Sequence, residues 1–361
     1  MTDAFPIILE GLTIFNVVRV FMFAVLAFFI NILATHFWVK VLYRYFRPGK
    51  EIAKDNAPVF TQLHQKKEGT PTMGGFPIWI TVSFLILVSW AISELAGGDG
   101  FWSKVNFLSR SQTLLPLGFL IIAGIIGMGD DLFGIFRRKG FTLSQHLLFY
   151  TIIAIVGAWW FYFKLDWDYL TLPFFGNINI GWFYFPFFIL LINATSFSIK
   201  ITDGLDGLVG GIFLIMFGAY AVIAFDQGKM DLVVFLAGLM GALIAFLWFN
   251  IYPAKFFMGE TGTMALGSTL GVVAALTDTA FILPFIAVIP FIEAVSVLVQ
   301  TVSKKLRGKK IFYSTPIHHH FEAKGWPESQ VTMRFWMINA IGAIIGLMIF
   351  LVDSKIPPLF R

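Results

Sequence analysis

Cysteine is absent from the 361 residues, so the chain has no disulfide framework and no thiol chemistry, and its compartment cannot be read from redox usage. Charge is scarce as well. Only 13% of residues are Asp, Glu, Lys or Arg, about half the share of an ordinary soluble domain. No internal repeat or low-complexity segment is visible, and no inverted repeat of the transporter kind. A cleavable leader is not expected, because the first apolar run, 17 to about 39, is too long and lacks a small-residue cleavage pattern after it. What the chain has in abundance is apolar surface. Hydrophobic residues make up 58% and the mean hydropathy is +0.80, so its solvent is lipid.

Each crossing of a bilayer takes about 20 apolar residues, so roughly ten crossings fit this length. The runs fall at 17–39, 76–95, 113–129, 145–163, 183–201, 208–225, 232–249, 263–286, 288–303 and 335–352. We therefore expect a single all-α polytopic membrane domain over 1–361. Orientation follows from the basic residues. With these spans, nineteen of the 26 lysines and arginines fall on one side, from Lys40 and Arg44 through Arg137–Lys139 to Lys304–Lys310 and Arg334. That side is expected to be cytoplasmic, with both termini opposite. The net charge of +5 is thus a topological signal, not a nucleic-acid footprint. On the other side, 164–182 mixes β-formers with Gly and Asn and predicts a small hairpin at the interface, its tryptophans serving as belt residues.

The same topology gathers four polar clusters on the basic side. A carboxylate at bilayer depth costs roughly 2.5–3.5 kcal/mol on insertion scales, and such groups usually mark function. Asp130-Asp131 are adjacent and repel unless a cation or base holds them; Mg²⁺ would serve. Asp203 and Asp206, three residues apart, share a face if their segment is helical. Thr202 is then placed to cap the helix that follows, whose N–H groups would face an anion. Glu260, between Gly259 and Gly262, is a candidate oxygen ligand for Mg²⁺, and Asn250 is placed to hold a nearby hydroxyl or base. His318-His319-His320 point about 100° apart on a helix and cannot converge on one zinc ion. They suit phosphate oxygens better, with Glu322 orienting one of them. Lys66-Lys67-Glu68-Gly69-Thr70 before the second span offers lysines and open backbone to phosphate, a signal weakened by the basic residues expected there anyway. His36 and His64 receive no assignment, and His146 is read as a surface residue.

These motifs resemble the polyprenyl-phosphate N-acetylhexosamine-1-phosphate transferases, in order and with similar spacing from about His64 to Trp336. The carriers are Thr70-Pro71-Thr72-Met73-Gly74-Gly75, Asp130-Asp131, Thr202-Asp203-Gly204-Leu205-Asp206-Gly207-Leu208 and Pro316-Ile317-His318-His319-His320-Phe321-Glu322. The Pro-Thr-Met-Gly-Gly and His-His-His-Phe-Glu forms favour the branch that uses a muramoyl-pentapeptide donor. The resemblance implies ten transmembrane helices, Mg²⁺ and a cytoplasmic active site in a bacterial inner membrane. It implies transfer from UDP-N-acetylmuramoyl-pentapeptide to undecaprenyl phosphate, giving lipid I and UMP. By position, it makes Asp130 or Asp131 the proton acceptor or the nucleophile. It makes Glu260, with Asp131, the metal carboxylates and Lys67 the essential lysine, with His319 near the diphosphate. Asp203, Asp206, Asn250, Lys200, Thr70, His318 and His320 become substrate-site residues. A homodimer is left open.

Three positions depart from the family pattern. Glu260 stands where Asp is usual, Lys200 where the second asparagine of Asn-Ala-x-Asn-Leu is usual, and Glu68 where a basic or neutral residue is common. Two alternatives therefore stand beside the main reading: a sister transferase using UDP-N-acetylglucosamine, and a non-catalytic lipid or nucleotide binder. The donor that yields UMP separates the first, and indifference to Asp131→Asn marks the second.

Overall fold

A computed structural model describes residues 7–46, 67, 69–97, 102–137 and 139–355. Lys66, Glu68 and His64 lie outside the described residues. Helices account for most of it. In chain order they are α1 (Ile7–Tyr45), α2 (Phe76–Leu95), α3 (Leu114–Arg137), α4 (Leu143–Lys164), α5 (Tyr184–Thr202), α6 (Leu208–Asp226), α7 (Met230–Asn250) and α8 (Gly259–Leu276). The four-residue α9 (Leu283–Ile286), then α10 (Val288–Arg307), the short α11 (Ile317–Ala323) and α12 (Glu328–Lys355) complete the chain. Eight of them, α1 to α7 and α12, are long and apolar enough to cross a membrane. The protein is a multi-pass, all-α membrane protein.

Two of the expected spans look different. The run 263–286 is not one helix: α8 stops at Leu276, where Thr277 and Thr279 pair their hydroxyls at 2.8 Å and Asp278 takes a left-handed φ of 53°. The chain then turns through α9 into α10. Neither α8 nor α10 meets the apolar standard of the other eight, and burial explains α8. Sixteen of its residues are buried, so it is solvated by protein and tolerates Thr, Ser and Glu. The inward face of α10 is polar (Glu293, Ser296, Gln300, Ser303), while Phe291, Val295, Leu298 and Val302 face outward.

The helices run alternately, so one end of the bundle collects the ends of α3, α5 and α7 with the starts of α2, α4, α6, α8 and α12. The opposite end carries the predicted hairpin, β1 (Tyr169–Leu172) against β2 (Gly176–Asn179), with Tyr169 opposite Asn179. The Phe174 N–H in its turn donates to Asp353 of α12 at 2.6 Å. At that same end Arg19 of α1 clamps the Lys104 carbonyl (2.9 Å) and Asp231 (3.0 Å). Deeper in the bundle, Asn31 of α1 donates to Ala242 O on α7 (2.7 Å) and accepts from Thr81 of α2 (3.2 Å), buried side-chain bonds that join the helices. The close crossing of α3 and α8 depends on Gly127: a Cβ there would lie 2.1 Å from the Glu260 carbonyl oxygen. That contact sets Asp130 and Asp131 beside the first turn of α8.

Candidate active site

Four helix ends meet at the centre of the site. Asp130, one turn beyond Gly127 on α3, is buried; its Oδ1 accepts from the Phe141 N–H, and its Oδ2 lies 2.9 Å from His146 Nε2. His146, in the first turn of α4, is buried too, which corrects its reading as a surface residue. Its place follows from the chain: Thr142 and Gln145 form a capping box that starts α4 and turns the next residue inward. The other ring nitrogen, Nδ1, lies 3.0 Å from the Thr142 carbonyl and must carry a proton to bond it. Lys200, from the last turn of α5, brings its Nζ to 2.9 Å from the same Nε2 and donates to Glu260 Oε1. One nitrogen cannot serve both neighbours at once. As imidazolium His146 donates to Asp130; as neutral imidazole it accepts from Lys200.

Asp131 turns the other way. Its Oδ2 accepts from both the N–H (2.9 Å) and the hydroxyl (2.7 Å) of Thr261, capping the start of α8. The group with metal-ligand spacing is instead Asp130, His146 and Glu260, whose ligand atoms lie within 4.8 Å of one another. The two carboxylates suit a hard divalent cation by ligand type, whereas the imidazole, engaged at both nitrogens, suits the role of orienting Asp130. Asp131, expected among the metal ligands, stands outside that group.

A second cluster forms around Lys67. Its Nζ pairs with Asp206 Oδ1 (2.6 Å) and with Glu328 Oε1 at the start of α12. Glu328 also accepts from the Asp206 N–H (2.6 Å), while Asp206 Oδ2 accepts from Ala254 N (2.9 Å). The segment between α5 and α6 is not helical: α5 ends at Thr202, and 203–207 is a turn with Asp206 buried and Asp203 partly exposed, so the two carboxylates do not share a helix face. Nor does Thr202 cap α6. Its hydroxyl bonds back to Ser198 O at 2.7 Å, a common outcome for a threonine at the end of an apolar helix. Asn250 uses both ends of its amide on the protein, accepting from Gly207 N (3.1 Å) and donating to Phe256 O (2.8 Å). It thereby fixes the turn that carries Asp206. Thr70 sits in a strap, Thr70–Gly75, bonded along Phe257 and Met258 through Phe257 N to Pro71 O (2.9 Å) and Gly74 N to Phe257 O (2.8 Å). The strap links the Lys67 cluster to the loop carrying Glu260.

The three histidines of α11 diverge, each to its own partner. His318 Nδ1 meets Glu293 of α10 at 2.9 Å, both fully buried, leaving Nε2 against Gly204, where a Cβ would lie 2.3 Å away. His319 Nδ1 bonds Glu322 at 2.7 Å. Burial pushes Glu322 up to about 7, an effect opposed by His318 and Lys67 and reinforced by Glu328 and Asp206. His320 stacks on Tyr313 (5.4 Å between centroids) and accepts from the Tyr313 N–H, with burial and the Lys324 charge holding its pKa down. His36 is exposed on α1. Glu293 and Glu328 were not foreseen. Glu293 carried a usable signal, being the sole charged residue between Asp278 and Lys304.

This geometry can now be set beside known proteins. A model described as glycosyl transferase family 4 matches residues 113–278, the stretch from α3 to the end of α8. A phospho-N-acetylmuramoyl-pentapeptide-transferase of Chloroflexus aurantiacus is 34% identical, over 96% of this chain and 93% of its own length. Proteins of that same name match from Methylacidiphilum infernorum (37%, over 83% of each chain) and Lacticaseibacillus paracasei (38%, over 85% of this chain and 91% of the relative). The chain belongs to the phospho-N-acetylmuramoyl-pentapeptide-transferase family. It is a membrane-embedded phosphoglycosyl transferase, and the two clusters at one end of its bundle are the candidate machinery.

Proposed function

We propose that this chain transfers phospho-N-acetylmuramoyl-pentapeptide from its UDP-linked donor to undecaprenyl phosphate, at the cytoplasmic face of a bacterial inner membrane. An oxygen of the lipid phosphate attacks the phosphorus next to the sugar, the P–O bond to UMP breaks, and lipid I and UMP result. The donor is polar and the acceptor chain is not, so the reaction belongs where water meets lipid. The excess of basic residues on the clustered side supports a cytoplasmic orientation of that face. The observation that carries the reading is the convergence of Asp130, His146, Lys200 and Glu260 at helix ends, in a chain of this family.

Phosphoryl transfer asks mainly for positioning and charge neutralisation. Asp130 and Glu260 would hold Mg²⁺, which when bound offsets negative charge on the diphosphate. Asp130, oriented by His146, is placed to accept the proton of the lipid phosphate. Asp131, tied to Thr261, keeps the end of α3 seated on α8. Lys67 and His319 provide donors on the diphosphate side. Asp203, Asp206, Thr70, His318 and His320 line the donor's path, and Asn250 holds the Asp206 turn in place.

The relatives' names favour the muramoyl donor over N-acetylglucosamine. Purified protein supplied with polyprenyl phosphate and either UDP-sugar tests the choice. UMP from the muramoyl-pentapeptide donor alone is expected, and UMP from UDP-N-acetylglucosamine alone would assign the sister reaction.

A further inference from the structure

Lys200 stands out because its ammonium contacts two members, His146 and Glu260, of the group that has metal-ligand spacing. Its Nζ donates to Glu260 Oε1 and lies 2.9 Å from His146 Nε2, which in turn lies 2.9 Å from Asp130 Oδ2. The lysine side chain is 22% exposed and Glu260 18%, so the pair is neither sealed in the core nor freely solvated. A carboxylate oxygen bound to an ammonium cannot offer the same lone pair to a divalent ion, and the two cations repel at contact distance. Lysine also has the means to leave: its charge rides on a flexible four-carbon stem, anchored here at a helix C-terminus that favours a cation.

We propose that Lys200 is a tethered cation that occupies the divalent-metal position between Asp130 and Glu260 when no metal is bound, and swings aside when one enters. The inference rests on the functional reading above in taking these carboxylates as a metal site. Its consequence is independent of turnover: the native chain binds a divalent ion weakly, because each binding event must first displace Lys200.

Titration of the purified full chain in detergent with Mn²⁺, followed by loss of the free-ion EPR signal, tests this without any substrate. Lys200→Gln is expected to tighten Mn²⁺ binding at least about tenfold, the scale of removing one unit charge in contact with the ion. Lys200→Met, which keeps the stem and drops the charge, gives the same result and stands in if the glutamine variant does not fold. Lys139→Gln, which removes an exposed charge outside this cluster, should change the affinity less than about twofold, as expected of a solvent-screened charge. The gain should vanish when Lys200→Gln is combined with Glu260→Gln. Unchanged or weaker binding in both Lys200 variants, or a gain that survives Glu260→Gln, overturns the proposal. UMP release by the native protein is scored separately, so failure of the functional reading and failure of this one are told apart.

Discussion

At the scale of single residues, His146 carries the account. Among the described residues it is the group that bonds both Asp130 and Lys200, so it sets the direction in which the Asp130 carboxylate points. His146→Ala is expected to lower kcat about 10- to 100-fold, the usual loss when an orienting partner is removed, with little change in KM. Steady-state kinetics across pH checks this. Asp278, at the opposite end of the bundle, gives a prediction of stability. Burial pushes its pKa up to about 6, with Lys229 opposing. The folded protein thus binds the proton more tightly than the unfolded chain, whose carboxylate titrates near 3.9. Stability is therefore lost as pH rises from about 4 to about 6, and stays lowered above that. Asp278→Asn removes the penalty and suits the left-handed backbone, so it should stabilise by about 1–2 kcal/mol at pH 8 and by little at pH 4. Equal thermal shifts at both pH values would contradict this.

At the scale of elements, the site is a product of helix ends. Apolar runs fix where helices cross, and their polar termini then fall together at one face. That much was legible in the sequence, because clusters such as Asp130-Asp131 and His318-His319-His320 interrupt long apolar runs and positive charge marks the side they share. Single polar residues were harder to read. His146 sits near Arg137–Lys139 and looked like part of a solvated patch until the capping box at Thr142 turned it inward. Glu328 opens a helix, where acidic residues are ordinary, and nothing local announces its bond to Lys67. The turn at 203–207 is held by Glu328 and Ala254, which pin Asp206 from distant elements that local spacing does not see. The tightest joint between elements is α3 against α8 at Gly127. Gly127→Val should separate them, destabilising the detergent-solubilised protein by about 1–3 kcal/mol, as overpacking does. UMP release should fall more steeply than the thermal midpoint, because Asp130 and Glu260 stand on opposite sides of that joint.

At the scale of the whole molecule, the bundle keeps its two candidate-site clusters at one end and its hairpin at the other, with an apolar mantle between. The polar helix α8 is admitted at the centre, where protein replaces lipid. On the proposed function, this arrangement would let a lipid phosphate and a nucleotide sugar approach one face from two different solvents. The measurement that tests this most directly is UMP release from the muramoyl-pentapeptide donor with polyprenyl phosphate, with and without Mg²⁺, in the native protein and in Asp130→Asn and Glu260→Gln. The account predicts Mg²⁺-dependent release that falls about 10²- to 10⁴-fold in Asp130→Asn, the range for loss of a proton-accepting group, and that is lost in Glu260→Gln while both variants remain folded. Release that is indifferent to Mg²⁺ and persists in both variants would contradict it.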